Sequence, residues 1–390
     1  MTMSWGGLLN KPESKPVEPD LGNSSEGNET ISYPHSLILY ILLECNMRKS
    51  SMILFVILVI GISIFSFISR ERKSASPADT DLTIYAYDSF VSEWGPGPQI
   101  FPAFEDEYGI KLTVISAGDA GQVLQRAIIE KNNVNADLLI GLDNNLLSKA
   151  LEADITSPYS SPNLKNIPEE LIFDKTHNIT PFDYGYFSII YDSDKIKNPP
   201  ASLEDLLKPE YKKSIILMDP RTSSPGLGFM LWTISEFGKD FDKYWTKLMP
   251  SVLTITDGWD SGYGLFTEGE APMVLSYTTS PAYHAEYENT DRYRSAGFTS
   301  GHYMQIEGIS IVKNAKNREA AEKFIDFILE INAQKVIPLT NWMYPVRQDI
   351  SLPESFKLAP KPKHSLIMES ADIESNLDTW IEKWTNAVTK

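Results

Sequence analysis

Between Leu82 and Gly141 the chain alternates between two hydrophobic periods, and that alternation restricts its fold more than any other feature. Leu82–Tyr87 is a β-prone run of alternating character, which predicts a strand. It breaks at Asp88-Ser-Phe90 and at Trp94-Gly-Pro-Gly-Pro98. This punctuation stops the strand and leaves Tyr87, Asp88 and Trp94 near its carboxyl end. A helix through Phe104 and a second strand at Leu112–Ser116 follow. Asp119 is placed to cap a helix whose apolar positions Val123, Leu124, Ala127 and Ile128 share one face. A third strand, Asp137–Gly141, runs into Leu142-Asp-Asn-Asn145. Strand, helix, strand, helix, strand is the order of a parallel sheet covered by helices, so the fold class is α/β. Open sheets of this kind bind ligands outside the carboxyl ends of their strands.

The rest of the chain repeats the theme. Pro181-Phe-Asp-Tyr-Gly-Tyr186 leads into the apolar Phe187–Tyr191, read as the first crossing into a second lobe. A strand at Ser214–Met218 precedes Asp219-Pro-Arg-Thr-Ser-Ser-Pro-Gly226. There Ser224 is predicted as the helix N-cap, with Pro225 at the first helical position. Backbone N–H groups at that helix start, with Ser223 and Ser224, are suited either to an anion or hydroxyl or to capping alone. Thr254–Thr256 ends in Asp257-Gly-Trp259. Met273–Leu275 breaks into Ser-Tyr-Thr-Thr-Ser-Pro-Ala-Tyr283, offering Tyr277 and Tyr283 as flat faces and Thr278, Thr279 and Ser280 as hydroxyls. Gly308–Val312 is a strand that returns to the first lobe, and Glu319–Ile331 an amphipathic helix. The loop Asn341-Trp-Met-Tyr-Pro345 centres on an indole. A final helix sets Ile373, Leu377, Trp380, Ile381, Trp384 and Val388 on one side, as core.

Charge and cysteine usage exclude several classes of function. The formal net charge is −17. Residues 1–46 carry 2 basic and 6 acidic groups, and residues 47–76 carry 5 basic and 1 acidic, so these segments cancel and the acidity belongs to residues 77–390. A body so acidic disfavours nucleic acid, which is held through phosphate neutralisation. The single cysteine, Cys45, precedes the body, which therefore has no disulfide, thiolate metal site or thiol nucleophile. Met52–Ile68 is the one apolar run long enough to cross a bilayer. With Arg48 and Lys49 before it and Ser74-Ala-Ser76 after it, residues 47–76 read as a secretory signal. Its length, the following Arg70, Arg72 and Lys73, and Pro77 argue for an uncleaved anchor through residues 52–68. Residues 1–46 read as a disordered or non-native extension. Either way the body is periplasmic or otherwise extracytoplasmic.

No enzyme motif is present: no Gly-x-Ser-x-Gly elbow, phosphate loop with lysine, His-Glu-x-x-His or dinucleotide fingerprint. His35, His177, His284, His302 and His364 lack metal-ligand spacing. What recurs is an aromatic beside a small polar group at a strand end. It occurs at Tyr87 and Trp94, at Trp259, at Tyr277 and Tyr283, and at Trp342, with Ser223 and Ser224 supplying hydroxyls. Such loops converging from two lobes describe a binding protein that closes on a flat, cationic ligand through cation–π contacts worth about 0.5–2 kcal/mol each.

At these residues the sequence resembles the periplasmic thiamine-binding proteins, solute receptors of bacterial thiamine ABC transporters. The resemblance runs from about Leu82 to Lys390. It is carried by Thr83-Ile-Tyr-Ala-Tyr-Asp-Ser-Phe90, Trp94–Pro98, Gly141-Leu-Asp-Asn-Asn145, Pro181–Phe187, Asp219-Pro-Arg-Thr-Ser223, Leu275–His284 and Asn341–Pro345. It implies a two-lobed periplasmic-binding-protein fold of the class II type, with the ligand cleft between lobes joined by crossing strands. Residues 77–182 and 305–390 would form lobe I and residues 183–304 lobe II. The resemblance places ligand contacts at Asp119 and Ala120, Ser223, Ser224, Trp259 and Tyr277 through Ser280, with Tyr283 and Trp342 as walls. The ligand implied is thiamine or its mono- or diphosphate, delivered to a membrane permease, with no cofactor, metal or catalytic residue. Where the family has Asp-Gly this chain has Asp119-Ala120-Gly121. The rival readings are a receptor of the same fold for iron or a polyamine and an enzyme of thiamine breakdown. Iron would want adjacent tyrosines, and the enzyme a cysteine nucleophile.

Overall fold

A computed structural model of the chain describes residues 81–359 and 361–389. The extension 1–46, the segment 47–76 and Cys45 lie outside the described residues. Among the described residues no helix is long and apolar enough to cross a membrane.

The first three strands form as the periodicity requires. β1 (Asp81–Ala86) lies parallel to both β2 (Lys111–Ser116) and β3 (Leu138–Asp143). Between them run the helix Gly97–Tyr108, which buries Ile100 and Phe104, and the helix Ala120–Ile129, which buries Val123, Leu124 and Ala127. The first of these helices stops at Gly109, whose φ of 67° is the left-handed turn that glycine adopts without strain. β3 extends past its expected end and carries Asp143 into the sheet.

A long strand, β5 (Thr180–Asp192), joins the two halves of the sheet. All 13 of its residues are buried, and at about 3.3 Å per residue it spans roughly 40 Å. Thr180–Tyr186 pairs antiparallel with β10 (His302–Val312), and Phe187–Tyr191 pairs antiparallel with β8 (Met273–Tyr277). β8 is followed laterally by β6 (Ile215–Met218) and β7 (Val252–Thr256), parallel to one another. The order is β2-β1-β3-β10-β5-β8-β6-β7, so β10 and β5 are the central strands through which the chain passes between halves. Short strands pair at the sides: β4 (Thr156–Ser157) and β12 (Ser365–Leu366) with β10, and β9 (Tyr293–Ser295) and β11 (Tyr344–Pro345) with β5. This is a mixed α/β architecture in which one sheet is continuous through β10 and β5.

The helix Ser224–Phe237 is buried from Ser224 to Ile234, which fits its apolar composition. Ser223, and not Ser224, is its N-cap, and Pro225 stands second in the helix. The expected helix Glu319–Ile331 ends at Ile328, and a separate short turn covers Ile331–Gln334. In the helix Ser370–Val388, Ile373 and Trp384 are buried, while Leu377, Trp380, Ile381 and Val388 pack half-buried against the core. Trp384 meets Trp245 edge to face at 5.8 Å. β10 begins six residues before Gly308, where the sequence pattern had placed its start. That difference brings Gln305 and Glu307 into a buried strand.

Candidate functional site

A cavity of about 390 Å³ opens where the strand-end loops meet. Tyr87 and Trp94 come from the segment after β1, and Asp119 and Ala120 from the turn after β2. Ser224 and Trp259 come from the turns after β6 and β7, Tyr277, Ser280 and Tyr283 from the end of β8, and Asn341 and Trp342 from the C-terminal loop. Loops distant in sequence are thus gathered by the strand order alone.

The Asp119 side chain accepts three backbone hydrogen bonds at the edge of the cavity. Its Oδ1 accepts from the Ala120 N–H at 2.6 Å and the Ser224 N–H at 3.4 Å, and its Oδ2 accepts from the Trp259 N–H at 2.9 Å. Each donor stands at the start of a helix, where free N–H groups and the helix dipole favour negative charge. One carboxylate therefore ties together three helix starts. Burial pushes its carboxyl above the usual aspartate range, and the N–H donors pull it the other way. The packing around it is close. A side chain at Gly121 would come within 2.5 Å of the Thr222 carbonyl oxygen, so only glycine fits there. The Ala120 methyl is buried and faces Gly141, whose φ of 111° keeps that position free of a side chain.

The walls are aromatic. Trp259 stacks on Tyr263 with centroids 4.8 Å apart, and its indole N–H donates to Ser276 Oγ at 2.8 Å. Ser276 Oγ in turn bonds Ser280 Oγ at 2.8 Å, which fixes the plane of the indole. Trp94, 43% exposed, stands 5.9 Å from Trp259 at the mouth. Trp342 meets Tyr283 edge to face at 5.4 Å and holds a φ of 55°, a left-handed conformation rare for a bulky residue. Residues held in such conformations by their surroundings cluster at binding sites.

The floor is acidic. Glu307 on β10 faces the cavity and accepts from the Tyr87 hydroxyl at 2.7 Å. Behind it Asn341 Nδ2 donates to Asp183 Oδ2 at 2.6 Å. The Tyr277 hydroxyl donates to Gln305 Oε1 at 2.6 Å, and Gln305 Nε2 donates to Asp143 Oδ2 at 2.9 Å. Burial raises Asp143 to about 6; burial with the neighbouring Glu307 charge holds Asp183 well above the ordinary carboxylate range, and burial with the charges of Asp143 and Asp119 raises Glu307. Among the described residues that line the cavity, none is a lysine or arginine. Chemically the site offers flat π-faces and negative potential, and a flat cation satisfies both at once.

Ten of the thirteen expected residues line this cavity: Tyr87, Trp94, Asp119, Ala120, Ser224, Trp259, Tyr277, Ser280, Tyr283 and Trp342. Three do not. Ser223 is 2% exposed and is engaged as a cap, accepting from the Gly226 N–H. Thr278 and Thr279 turn inward where β8 passes into the helix Ser280–Tyr287, and both hydroxyls are buried without partners. The chain reverses at that point, so Tyr277 and Ser280 reach the cavity while the residues between them fill the interior. Glu307, Asp183, Asp143, Gln305 and Asn341 escaped the sequence reasoning. For Gln305 and Glu307 a signal was available in Tyr303-Met-Gln-Ile-Glu307, where polar residues two apart interrupt an apolar run and so share one strand face.

Residues 133–376 match the family profile of the bacterial extracellular solute-binding proteins. The chain is 41% identical over 317 residues to the thiamine-binding periplasmic protein of Brucella abortus, covering 81% of this chain and 94% of that one. It is 41% identical over 310 residues to the thiamine-binding periplasmic protein of Escherichia coli, covering 79% and 94%. A solved structure of a periplasmic thiamin binding protein superposes with a TM-score of 0.77 at 39% identity, covering 81% of this chain and 98% of that one.

Proposed function

The chain belongs to the bacterial extracellular solute-binding proteins, in the group of the periplasmic thiamine-binding proteins, and from that premise we propose that it captures thiamine and hands it to an ABC-type permease. The observation that carries this reading is an aromatic cavity with a floor of buried carboxyls and, among the described residues, no lysine or arginine on its lining. Thiamine joins two flat rings, one of them a permanent cation. Trp259, Tyr283 and Trp342 serve as stacking faces, with Trp94 at the mouth. The carboxyls beneath supply the opposite charge. The lobes are residues 77–182 with 305–390, and residues 183–304, and the ligand is taken between them by closure.

We include thiamine mono- and diphosphate as ligands. Their anionic end would approach the helix starts at Ala120, Ser224 and Trp259, the donors that Asp119 engages. A phosphate there has to share those donors with the carboxylate or displace it. The protein works outside the cytoplasm, with residues 47–76 serving as a signal or an anchor. The role is capture without turnover.

Calorimetric titration with thiamine, its two phosphates, ferric iron and a polyamine, followed by chromatography of the recovered ligand, tests the proposal. One thiamine bound per chain and returned intact is the expected result. Recovery of separated pyrimidine and thiazole, or binding of iron or polyamine without thiamine, would overturn it.

A further inference from the structure

Two carboxyls on the cavity floor face one another across the central strand pair. Glu307 on β10 and Asp183 on β5 are register partners. Glu307 is 7% exposed and lines the cavity, whereas Asp183 is fully buried behind it. The Tyr87 hydroxyl donates to Glu307 Oε2, and Asn341 Nδ2 donates to Asp183 Oδ2. Asp183 Oδ1, sealed from solvent, receives no donor among the described residues.

An ionised carboxylate oxygen in that position forfeits its hydration without recovering a hydrogen bond. A proton carried by Asp183 and shared with Glu307 removes both the orphaned oxygen and the repulsion between two buried like charges. The groups facing the pair offer no alternative neutralisation. They are Tyr87 from the end of β1, Asp143 from β3, Asp119 from the turn after β2, Tyr277 from β8 and Asn341 from the C-terminal loop. None is a cation.

We infer that Glu307 and Asp183 form a proton-for-cation exchange site, which selects a ligand of fixed positive charge by releasing the shared proton to water as that charge settles against Glu307. The inference rests on the thiamine reading of the cavity and names the residues that discriminate by charge. The step is balanced: the singly protonated pair and the cationic ligand give the doubly ionised pair, the bound cation and one proton in solution. Only an O–H bond breaks. Tyr87 and Asn341 remain as donors that hold the ionised pair in place. Burial, with the charge of Glu307 beside Asp183, holds the pair above the ordinary carboxylate range, so that one shared proton stays on it while no ligand is bound. A neutral ligand of the same shape leaves the proton where it is and gains no counter-charge.

Titration calorimetry of the full chain in two buffers of different protonation enthalpy, from pH 6.5 to 9, reads the exchange directly. Near pH 7 the expected release is about one proton per thiamine, with affinity rising up to about tenfold per pH unit and then levelling. An uncharged isostere, with carbon in place of the thiazolium nitrogen, is expected to bind more weakly and release no proton. Glu307→Gln keeps an acceptor for Tyr87 and is expected to abolish the release and lower thiamine affinity at least tenfold, with a melting curve to verify folding. Thiamine binding with the same heat in both buffers and the same affinity across the pH range would overturn the exchange and leave the receptor reading intact. Failure to bind thiamine at every pH would overturn both.

Discussion

Replacing Asp119 by alanine removes one side chain that three helix starts share, and its cost follows from the contacts. The loss of the N-cap at Ala120 is worth about 1 kcal/mol. The charged bond from the Trp259 N–H, at 2.9 Å, falls in the class worth about 1.5–3 kcal/mol. The Ser224 N–H at 3.4 Å is too long to add much. Against these stands burial of the carboxylate, which raises its pKa and marks part of the charge as uncompensated. The sum is a loss of about 1–3 kcal/mol, read by urea unfolding of the ligand-free chain. Asp119→Asn separates charge from shape. A carboxylate about 4 Å from a phosphate oxygen opposes it by about 1 kcal/mol in water and about 4 kcal/mol at an effective dielectric near 20. The ratio of thiamine monophosphate to thiamine affinity should therefore rise at least about fivefold in the asparagine variant. Unchanged stability in Asp119→Ala, together with an unchanged ratio in Asp119→Asn, would refute the placement of this carboxylate at the centre of the site.

Trp259→Ala and Trp342→Ala should each weaken thiamine binding by about 1–3 kcal/mol, the scale of one stacked ring. Trp380→Ala, outside the cavity and packed against the core, should lower the melting temperature and leave affinity alone; the reverse pattern would invert the division between site and core. Asp143 is expected to make stability depend on pH in a specific direction. Its folded pKa of about 6 lies above the ordinary 3.8, so the folded state binds the extra proton and the stabilisation is lost as pH rises through 6. Wild type should therefore lose up to about 3 kcal/mol relative to Asp143→Asn between pH 4 and 7, measured by urea unfolding, and a flat difference would contradict it.

The first half of the sheet was legible because its periods are local. Asp119 was recognisable as a cap from the residues around it, and Tyr87, Trp94 and Trp259 as aromatics placed by Gly/Pro punctuation at strand ends. The inward face of the last helix was equally legible from its spacing. The floor of the cavity was not. Glu307 and Asp183 meet only because β10 and β5 pair over more than a hundred residues of intervening chain, and no local pattern encodes that register. Gln305 and Glu307, two apart, mark one face of a strand, but nothing near them in sequence says that Asp183 lies across from Glu307. The inward turn of Thr278 and Thr279 was hidden for a related reason. A polar loop after a strand is exposed by composition, but here the turn folds its hydroxyls inward, and only the packing of the helix Ser280–Tyr287 decides that. Ser223 and Ser224 differ by one position in the cap, which is the scale at which helix starts are hardest to read.

The central claim is that this aromatic, acidic cavity receives thiamine, and the indoles that line it report on that event. Titrating the chain with thiamine while following tryptophan fluorescence should quench the signal to a saturating limit at one ligand per chain. Trp342→Ala and Trp259→Ala should each remove part of the amplitude. A signal that thiamine leaves unchanged at every concentration, while ferric iron or a polyamine changes it in the same protein, would contradict the account.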